Sequence, residues 1–402
     1  MHVAAFGPTA RFARMKLKLS VLLLSALLSV GCGTPGASPG VAHAQDVDEK
    51  QSSGSDPDAV ISIAAVGDIM LASPFPDDTR MPPNDGEGML DAVSPILSAA
   101  DIAFGNMEGA IVDDGVSEKC KPKEPKPGAT PTPTPDPSKT PEPIRCYAFR
   151  MPTRYAKYLK EAGFDVMSVA NNHALDFGMA GRNSTLRTLQ ANGIKHAGAD
   201  RMKLSTAIFE TKGKKVAFVA FAHNTVSPNL NDLATAKRLV RAAGKAADIV
   251  VVSFHGGAEG SAYQNVPRQT EVHFGEKRGN LPLFARTVID AGADLVIGHG
   301  PHVLRGMEIY KGRLIAYSLG NFATYGWFSL KGPAGLSMIL EANLTPEGSF
   351  AGGKIHAAKQ KDWGIPVLDP SGEAIRIVRS LSKTDFPATA PKITDDGVIA
   401  IE

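Results

Sequence analysis

Residues 291–322, AGADLVIGHGPHVLRGMEIYKGRLIAYSLGNF, carry the pattern on which the fold turns. The run Leu295–Gly298 is short and wholly apolar, as a buried strand is, and it stops at His299 and His302. Beyond it, a Lys311-Gly312 turn separates two further β-rich runs, and the later stretches GLSMILEANL and GGKIHAAKQ continue the β character. These runs predict a second sheet, antiparallel in part, packed on the first.

Working backwards along the chain, similar runs recur at Val60–Val66, Ile102–Gly105, Val166–Ala170, Val216–Phe221 and Ile249–Phe254. Between them, helical patterning covers Leu90–Ala99, Arg154–Ala162, Met179–Asn192, Leu233–Ala243 and Leu281–Ala291. Alternation of this kind predicts an α/β layered domain with much parallel pairing.

Five of the six strand-like runs end in polar residues. Asp68 follows the first, Asn106 and Glu108 the second, and Asn171, Asn172, His173 and Asp176 the third; His255 and Glu259 follow the fifth, and His299 and His302 the sixth. In open α/β sheets, ligands bind in the crevice beyond the carboxyl ends of strands, so these residues are expected to share one pocket. Carboxylate, imidazole and amide oxygen suit divalent Zn, Mn or Fe, which makes a metal centre the leading expectation. The clusters contain no cysteine, which argues against a thiolate zinc site or an iron-sulfur cluster. His273 and Glu276 are candidates for the pocket rim, while His2, His43, His196, His223 and His356 read as structural or surface residues.

The 402 residues are 43% hydrophobic, enough for a substantial core. Formal net charge is +2, but residues 1–31 contribute four basic side chains and no acidic one, and without them 39 basic side chains face 41 acidic ones. Bulk charge therefore gives no support for nucleic-acid binding. The basic start followed by Val21–Val30, VLLLSALLSV, predicts a signal peptide over 1–31 and an exported chain. LSVGC ending at Cys32 resembles a bacterial lipobox, which predicts a lipid anchor to the membrane at the cell envelope. The alternative is cleavage after Ala42-His43-Ala44, giving a soluble periplasmic or secreted protein.

Residues 32–58 read as a flexible tether, 59–360 as the folded domain, and 361–402 as a C-terminal extension. Within the domain, Cys120 and Cys146 bracket an insert with nine prolines in the 25 residues 121–145, a composition that excludes helix and central strand. In an oxidising compartment a disulfide between them is expected, with a typical gain of ~2–4 kcal/mol.

The successive stretches AAVGDIML, FGNMEGAIV, FDVMSVANNHALDFG, SFHGGAEG and the 291–322 segment resemble, in order, the motifs of the CapA family of poly-γ-glutamate capsule synthesis proteins. The resemblance implies a fold of the metallo-dependent phosphatase type, a four-layer α/β sandwich of two mixed sheets flanked by helices. It implies Asp68, Glu108, Asn172, His255, His299 and His302 as ligands for divalent metal, up to two ions, with His173 near a leaving group and Asp176 orienting it. Asn106, Asn171 and Glu259 would complete the pocket. Met70 stands where an ordinary metallophosphatase carries the histidine of Asp-x-His, and Gly300 where many relatives have a second histidine.

By this resemblance the protein would act in capsule or exopolymer biosynthesis, with an anionic polymer such as poly-γ-glutamate and a membrane synthase complex as partners. A free-standing metallohydrolase, cutting a phosphoester or γ-glutamyl amide, and a non-catalytic polymer-binding scaffold are the alternatives.

Overall fold

The computed structural model describes residues 60–120 and 146–401. The signal segment 1–31, the tether with Cys32 and the proline-rich run 121–145 lie outside the described residues.

The first half of the chain lays down β1 (Ile61–Met70), α1 (Ser94–Ala99), β2 (Ile102–Met107), β3 (Ala110–Ile111), β4 (Arg150–Met151), α2 (Ala156–Glu161), β5 (Val166–Ser168), α3 (Gly178–Ala191), β6 (Lys195–Ala197) and β7 (Thr206–Thr211). The second half adds β8 (Lys214–Ala222), α4 (Leu233–Gly244), β9 (Ile249–His255), β10 (Glu271–His273), β11 (Glu276–Gly279), α5 (Leu281–Asp290), β12 (Leu295–His299), β13 (Met307–Tyr310), β14 (Arg313–Ala316), β15 (Asn321–Thr324), β16 (Leu336–Leu344), β17 (Phe350–Lys361), β18 (Ile365–Leu368), α6 (Glu373–Asp385), β19 (Lys392–Ile393) and β20 (Val398–Ala400).

Ten strands form the first sheet, in the order β19-β20-β17-β16-β1-β2-β5-β6, with β15 beside the end of β1 and β18 beside β17. Its half from β1 to β6 is parallel, and its half from β16 to β20 is antiparallel. The second sheet runs β13-β14-β12-β9-β8-β7, parallel in the middle and antiparallel at both edges. This is the mixed α/β architecture the sequence predicts.

Side-chain alternation along the strands explains the layering. On β1, Ile61, Ile63 and Ala65 enter the core shared by the two sheets, whereas Ala64 and Val66 face the layer of α1 and α2. On β9, Ile249 and Val251 enter that same shared core, while Val250 and Val252 pack under α4 and α5. Strands buried on both faces need apolar residues at every position, hence the unbroken runs in the sequence. Side-chain caps fix the starts of the two outer helices: Asp232 accepts from Thr235 N at 3.0 Å, and Asn280 from Leu283 N at 3.1 Å.

The boundary expected at 360/361 falls inside β17, and the residues beyond it belong to the same fold. β18, β19 and β20 extend the first sheet, and α6 sends Ala374, Ile375 and Val378 into the shared core. The β character read from sequence stops at GGKIHAAKQ, because the strands beyond it, of four, two and three residues, are too short for alternation to show.

The ends of β1 and β12 are held against one piece of backbone. A Cβ at Gly67 would lie 1.9 Å from the Gly320 carbonyl oxygen, and one at Gly298 would lie 2.2 Å from that of Tyr317. Asp68 N donates to Gly320 O at 3.0 Å, and Leu319 N to Gly298 O at 3.1 Å. Residues 317–320 thus bridge the carboxyl edges of both sheets. Replacing Gly298 by Ala is expected to destabilise the protein by about 3 kcal/mol or more, since neither backbone can yield. Gly244→Ala, at the end of α4 with its nearest neighbour 3.9 Å away, is expected to be neutral or mildly stabilising. Urea denaturation of the two variants measures the difference, and equal effects would refute the close-approach argument.

Candidate metal centre

The parallel strands of both sheets deliver polar residues to the edge that the 317–320 segment crosses. Asp68 lies within β1, opposite Asn106 on β2 and Asn321 on β15. Glu108 follows β2 directly, and His255 and His299 end β9 and β12 side by side. His302 arrives from the turn after β12 with φ +57°, a left-handed conformation that costs a non-glycine residue roughly 1–2 kcal/mol.

Asp68, Glu108 and His255 each offer a ligand atom, all within 4.8 Å of one another, and each residue is 1% exposed. The Oδ2 of Asp68, Oε1 of Glu108 and Nε2 of His255 have no hydrogen-bond partner. Buried polar atoms are normally paired, and an unpaired carboxylate oxygen is costly. Three such atoms facing one another fit a divalent cation, and the mixed carboxylate-imidazole donor set suits Mn, Zn or Fe. Among the described residues this is the one group of acidic, histidine or cysteine side chains at metal-binding spacing.

His302 closes the group on another side. Its Nε2 is 3.6 Å from Glu108 Oε1, and its Nδ1 lies 3.0 Å from Asn321 Oδ1 and 2.9 Å from Asp68 Oδ2. The Asn321 contact has hydrogen-bond geometry, while that to Asp68 is ionic. Asn172 Oδ1 is buried and unpaired, which leaves it available as a ligand.

Asn106 and Asn171 brace the centre. Asn106 Nδ2 donates to Asp68 Oδ1 at 2.8 Å, Asn171 Nδ2 donates to Met107 O at 2.8 Å and Asn106 Oδ1 at 3.2 Å, and Asn171 Oδ1 accepts from His173 N at 3.1 Å. His173 Nδ1 is 2.6 Å from Asp176 Oδ2, and its Nε2 faces Glu108 Oε1 at 3.8 Å.

His299 stands apart from the expected ligands. Its Nε2 lies 3.0 Å from the Val66 carbonyl oxygen and its Nδ1 3.4 Å from Ser253 Oγ, so both nitrogens are engaged. The bond to Val66 joins the two sheets just behind Asp68. Glu259 lies at the rim, 2.6 Å from Arg278 Nη1 and 3.8 Å from His273 Nε2. Arg278 also pairs with Glu276 at 2.9 Å.

Two residues escaped the sequence reading. The side chain of His223 is tucked behind His255, its Nδ1 3.3 Å from the His255 carbonyl oxygen and its Nε2 3.3 Å from Glu276. It follows the end of β8, so the fourth strand-like run also ends in a polar residue. Asn321 lay in plain view in SLGNF, after a glycine that the backbone crossing requires.

Electrostatics separates the two carboxylates. Burial opposes ionisation of Asp68, yet its contacts with His302, His299 and Asn106 hold it below the ordinary value. Burial, then the charge of Asp68, pushes Glu108 well above it. At His302 burial disfavours the imidazolium, but Glu108 and Asp68 outweigh it and push it up to about 10. Burial and then His223 hold His255 well below the usual imidazole range, and burial lowers His173 against the pull of Asp176. Without a cation the Glu108–His302 pair therefore holds a proton at neutral pH.

A cation must displace that proton, so affinity should rise with pH. Calorimetric titration with Mn or Zn at pH 7, in two buffers of different ionisation enthalpy, is expected to show net proton release; none would mean that the group is already deprotonated. His299→Ala is expected to cost about 1–3 kcal/mol of stability and to leave metal content near that of the unmodified protein, measured by plasma mass spectrometry on the folded fraction.

The sequence profile described as "Bacterial capsule synthesis protein PGA_cap" matches residues 62–325, an interval that contains every residue of this centre. The "PGA biosynthesis protein CapA" of Bacillus subtilis (strain 168) is 28% identical over 341 residues, covering 81% of this chain and 79% of its own. The "Capsule biosynthesis protein CapA" of Bacillus anthracis is 33% identical over 207 residues, 47% of each chain. Among solved structures, a hypothetical protein from Thermus thermophilus aligns with a TM-score of 0.43 at 15% identity, covering 75% of this chain and 100% of that one. The motifs at the ends of β1, β2, β5, β9 and β12 are thus those of a known group, and the chain belongs to the bacterial capsule synthesis protein family PGA_cap.

Proposed function

We propose that this protein acts at the cell envelope in the synthesis of an anionic capsule or exopolymer of the poly-γ-glutamate type, and that its metal centre is hydrolytic. The observation that carries the hydrolytic reading is the buried Asp68–Glu108–His255 group, in which Glu108 Oε1 and His255 Nε2 lack a hydrogen-bond partner and Asp68 Oδ2 meets the His302 ring at 2.9 Å. These residues would hold the cation, with His302 and Asn172 completing its surroundings. A divalent ion in such a setting acts as a Lewis acid and lowers the pKa of bound water.

The remaining roles fall to the chain itself. Asp176 fixes the His173 ring through Nδ1, which leaves Nε2 as the atom that exchanges a proton with the group being cleaved. Proton transfer of this kind is typically worth ~10²–10⁴ in rate. Asn106 and Asn171 keep Asp68 and the 171–173 turn in register. An amide or phosphoester in the polymer chain is the class of bond such a site would cut.

Export through the 1–31 segment and a lipid at Cys32 would place the domain beside a membrane synthase. No helix among the described residues is long and apolar enough to cross a membrane.

Plasma mass spectrometry on the purified protein is expected to find a divalent transition metal. Glu108→Gln and His255→Ala should weaken its binding by at least about tenfold, because even residues behind a ligand are worth 10–100-fold. His173→Ala should keep the metal and lose turnover of γ-glutamyl amide or phosphodiester substrates. Full turnover in His173→Ala, or in chelated protein, would overturn the hydrolytic reading. Bound metal without turnover of either substrate would favour the scaffold.

A further inference from the structure

The disulfide Cys120–Cys146 closes with its Cα atoms 5.5 Å apart, and both chain segments that lead into it touch the His173–Asp176 pair. Before it, Lys119 Nζ lies 3.2 Å from Asp176 Oδ1 and 3.3 Å from His173 Nδ1. After it, Phe149 stacks on the His173 ring, centroids 4.0 Å apart, and its backbone N–H donates to Asp176 Oδ2 at 2.8 Å.

The two segments are held unequally. Phe149 is anchored to the fold independently: its carbonyl oxygen accepts from Ala110 N at 3.1 Å, and β3 pairs with β4 directly beyond it. A Cβ at Gly109 would lie 2.7 Å from the Phe149 Cβ, so the ring is seated against the backbone that follows Glu108. The Lys119 segment has a bond from the half-buried Arg150 Nη1 to Gly115 O at 3.3 Å, a short turn, Cys120 N to Ser117 O at 3.3 Å, and then the disulfide. The covalent bond therefore transfers the fixed position of the second segment to the first.

The chemistry of the contacts is specific. His173 Nδ1 cannot both donate to Asp176 Oδ2 and accept from Lys119 Nζ. With Nδ1–H donating to Asp176 Oδ2, the ammonium of Lys119 takes the other oxygen, Oδ1. Both Asp176 oxygens are then engaged, and the carboxylate cannot rotate. Phe149 covers the face of the imidazole, so the ring cannot tilt. What stays free is Nε2, turned towards Glu108.

We propose that Lys119 and Phe149 are positioning residues for the His173–Asp176 pair, and that the Cys120–Cys146 disulfide holds Lys119 in place. The catalytic consequence rests on the proton-transfer role given to His173, while the placement itself does not.

Peptide mass spectrometry after limited acylation and limited diethyl pyrocarbonate treatment tests the placement without any substrate. Reduction by a phosphine, or the double variant Cys120→Ser/Cys146→Ser, is expected to raise the acylation rate of Lys119 and the modification rate of His173 severalfold. The exposed Lys311 and the deeply buried His255, 1% exposed, serve as controls and should not change. Where the double variant fails to fold by circular dichroism, Lys119→Met and Phe149→Leu, which keep the disulfide, carry the same expectation for His173. Unchanged rates at Lys119 and His173 on reduction would overturn the proposal, as would a rise shared by His255, which would report general unfolding.

If a substrate is turned over, Lys119→Met and the reduced protein should lose about 10- to 100-fold in kcat with KM and metal content unchanged, and Lys119→Arg should restore part of it. A loss confined to KM would overturn the positioning role. Absence of turnover in the unmodified protein would count against the hydrolytic function and leave the labelling result to decide the placement.

Discussion

Everything at the polar edge depends on backbone meeting backbone without side chains between. Gly67 within β1 and Gly298 within β12 each stand one residue before Asp68 and His299, and the Tyr317–Gly320 segment lies across both at distances no Cβ would permit. A twisted sheet naturally splays from its neighbour at its ends. Here the splay is cancelled by hydrogen bonds from Asp68 N to Gly320 O and from Leu319 N to Gly298 O, and by the His299 ring reaching Val66 O. Two sheets that share only an apolar core are thereby registered to within a hydrogen bond at one end.

That registration is what makes a mixed donor set possible. Asp68 and Glu108 come from the first sheet, His255 and His302 from the second, and the first three meet within 4.8 Å. An apolar interface tolerates slippage of an ångström, because dispersion and burial have no direction. A carboxylate facing an imidazole does not. His299 sits where a ligand would be expected from sequence, at the end of a strand beside His255, but its ring is turned back to the seam between the sheets. It serves the centre by holding β1 in place.

Most of the layering was legible in the chain, because doubly buried strands demand continuous apolar runs and these are easily seen. The polar edge was legible too, since Asp68, Glu108, His255 and His302 each follow such a run. What could not be read was orientation. Nothing in LVIGHGPH distinguishes the imidazole that turns inward to Val66 from the one that turns to Glu108, for that depends on the φ of +57° at His302. His223 is hidden in the sequence because the run before it, VAFVAF, reads as core alone. The β structure after residue 361 is hidden because β18, β19 and β20 have only four, two and three residues. The disulfide was legible from composition, but its closeness to His173 was not, since it depends on a parallel pairing of two-residue strands, β3 and β4.

The geometry around Glu108 Oε1 ties these parts together. Three imidazole Nε2 atoms surround that single oxygen, from His302 at 3.6 Å, His173 at 3.8 Å and His255 at 3.9 Å. Each comes from a different structural element, and each meets a different partner through Nδ1: Asn321 for His302, Asp176 for His173, and Asn106 for His255. Burial and the charge of Asp68 push the Glu108 carboxyl well above its ordinary value, which makes this oxygen a poor place for an isolated negative charge. The same atom is therefore where the metal-binding residues and the His173–Asp176 pair meet. A change that shifts the His173 ring, whether at Asp176, Lys119 or Phe149, alters what Glu108 faces, even though none of those residues reaches the cation site. On the proposed function, proton transfer at His173 and metal binding at Glu108 would be coupled through this one carboxylate oxygen.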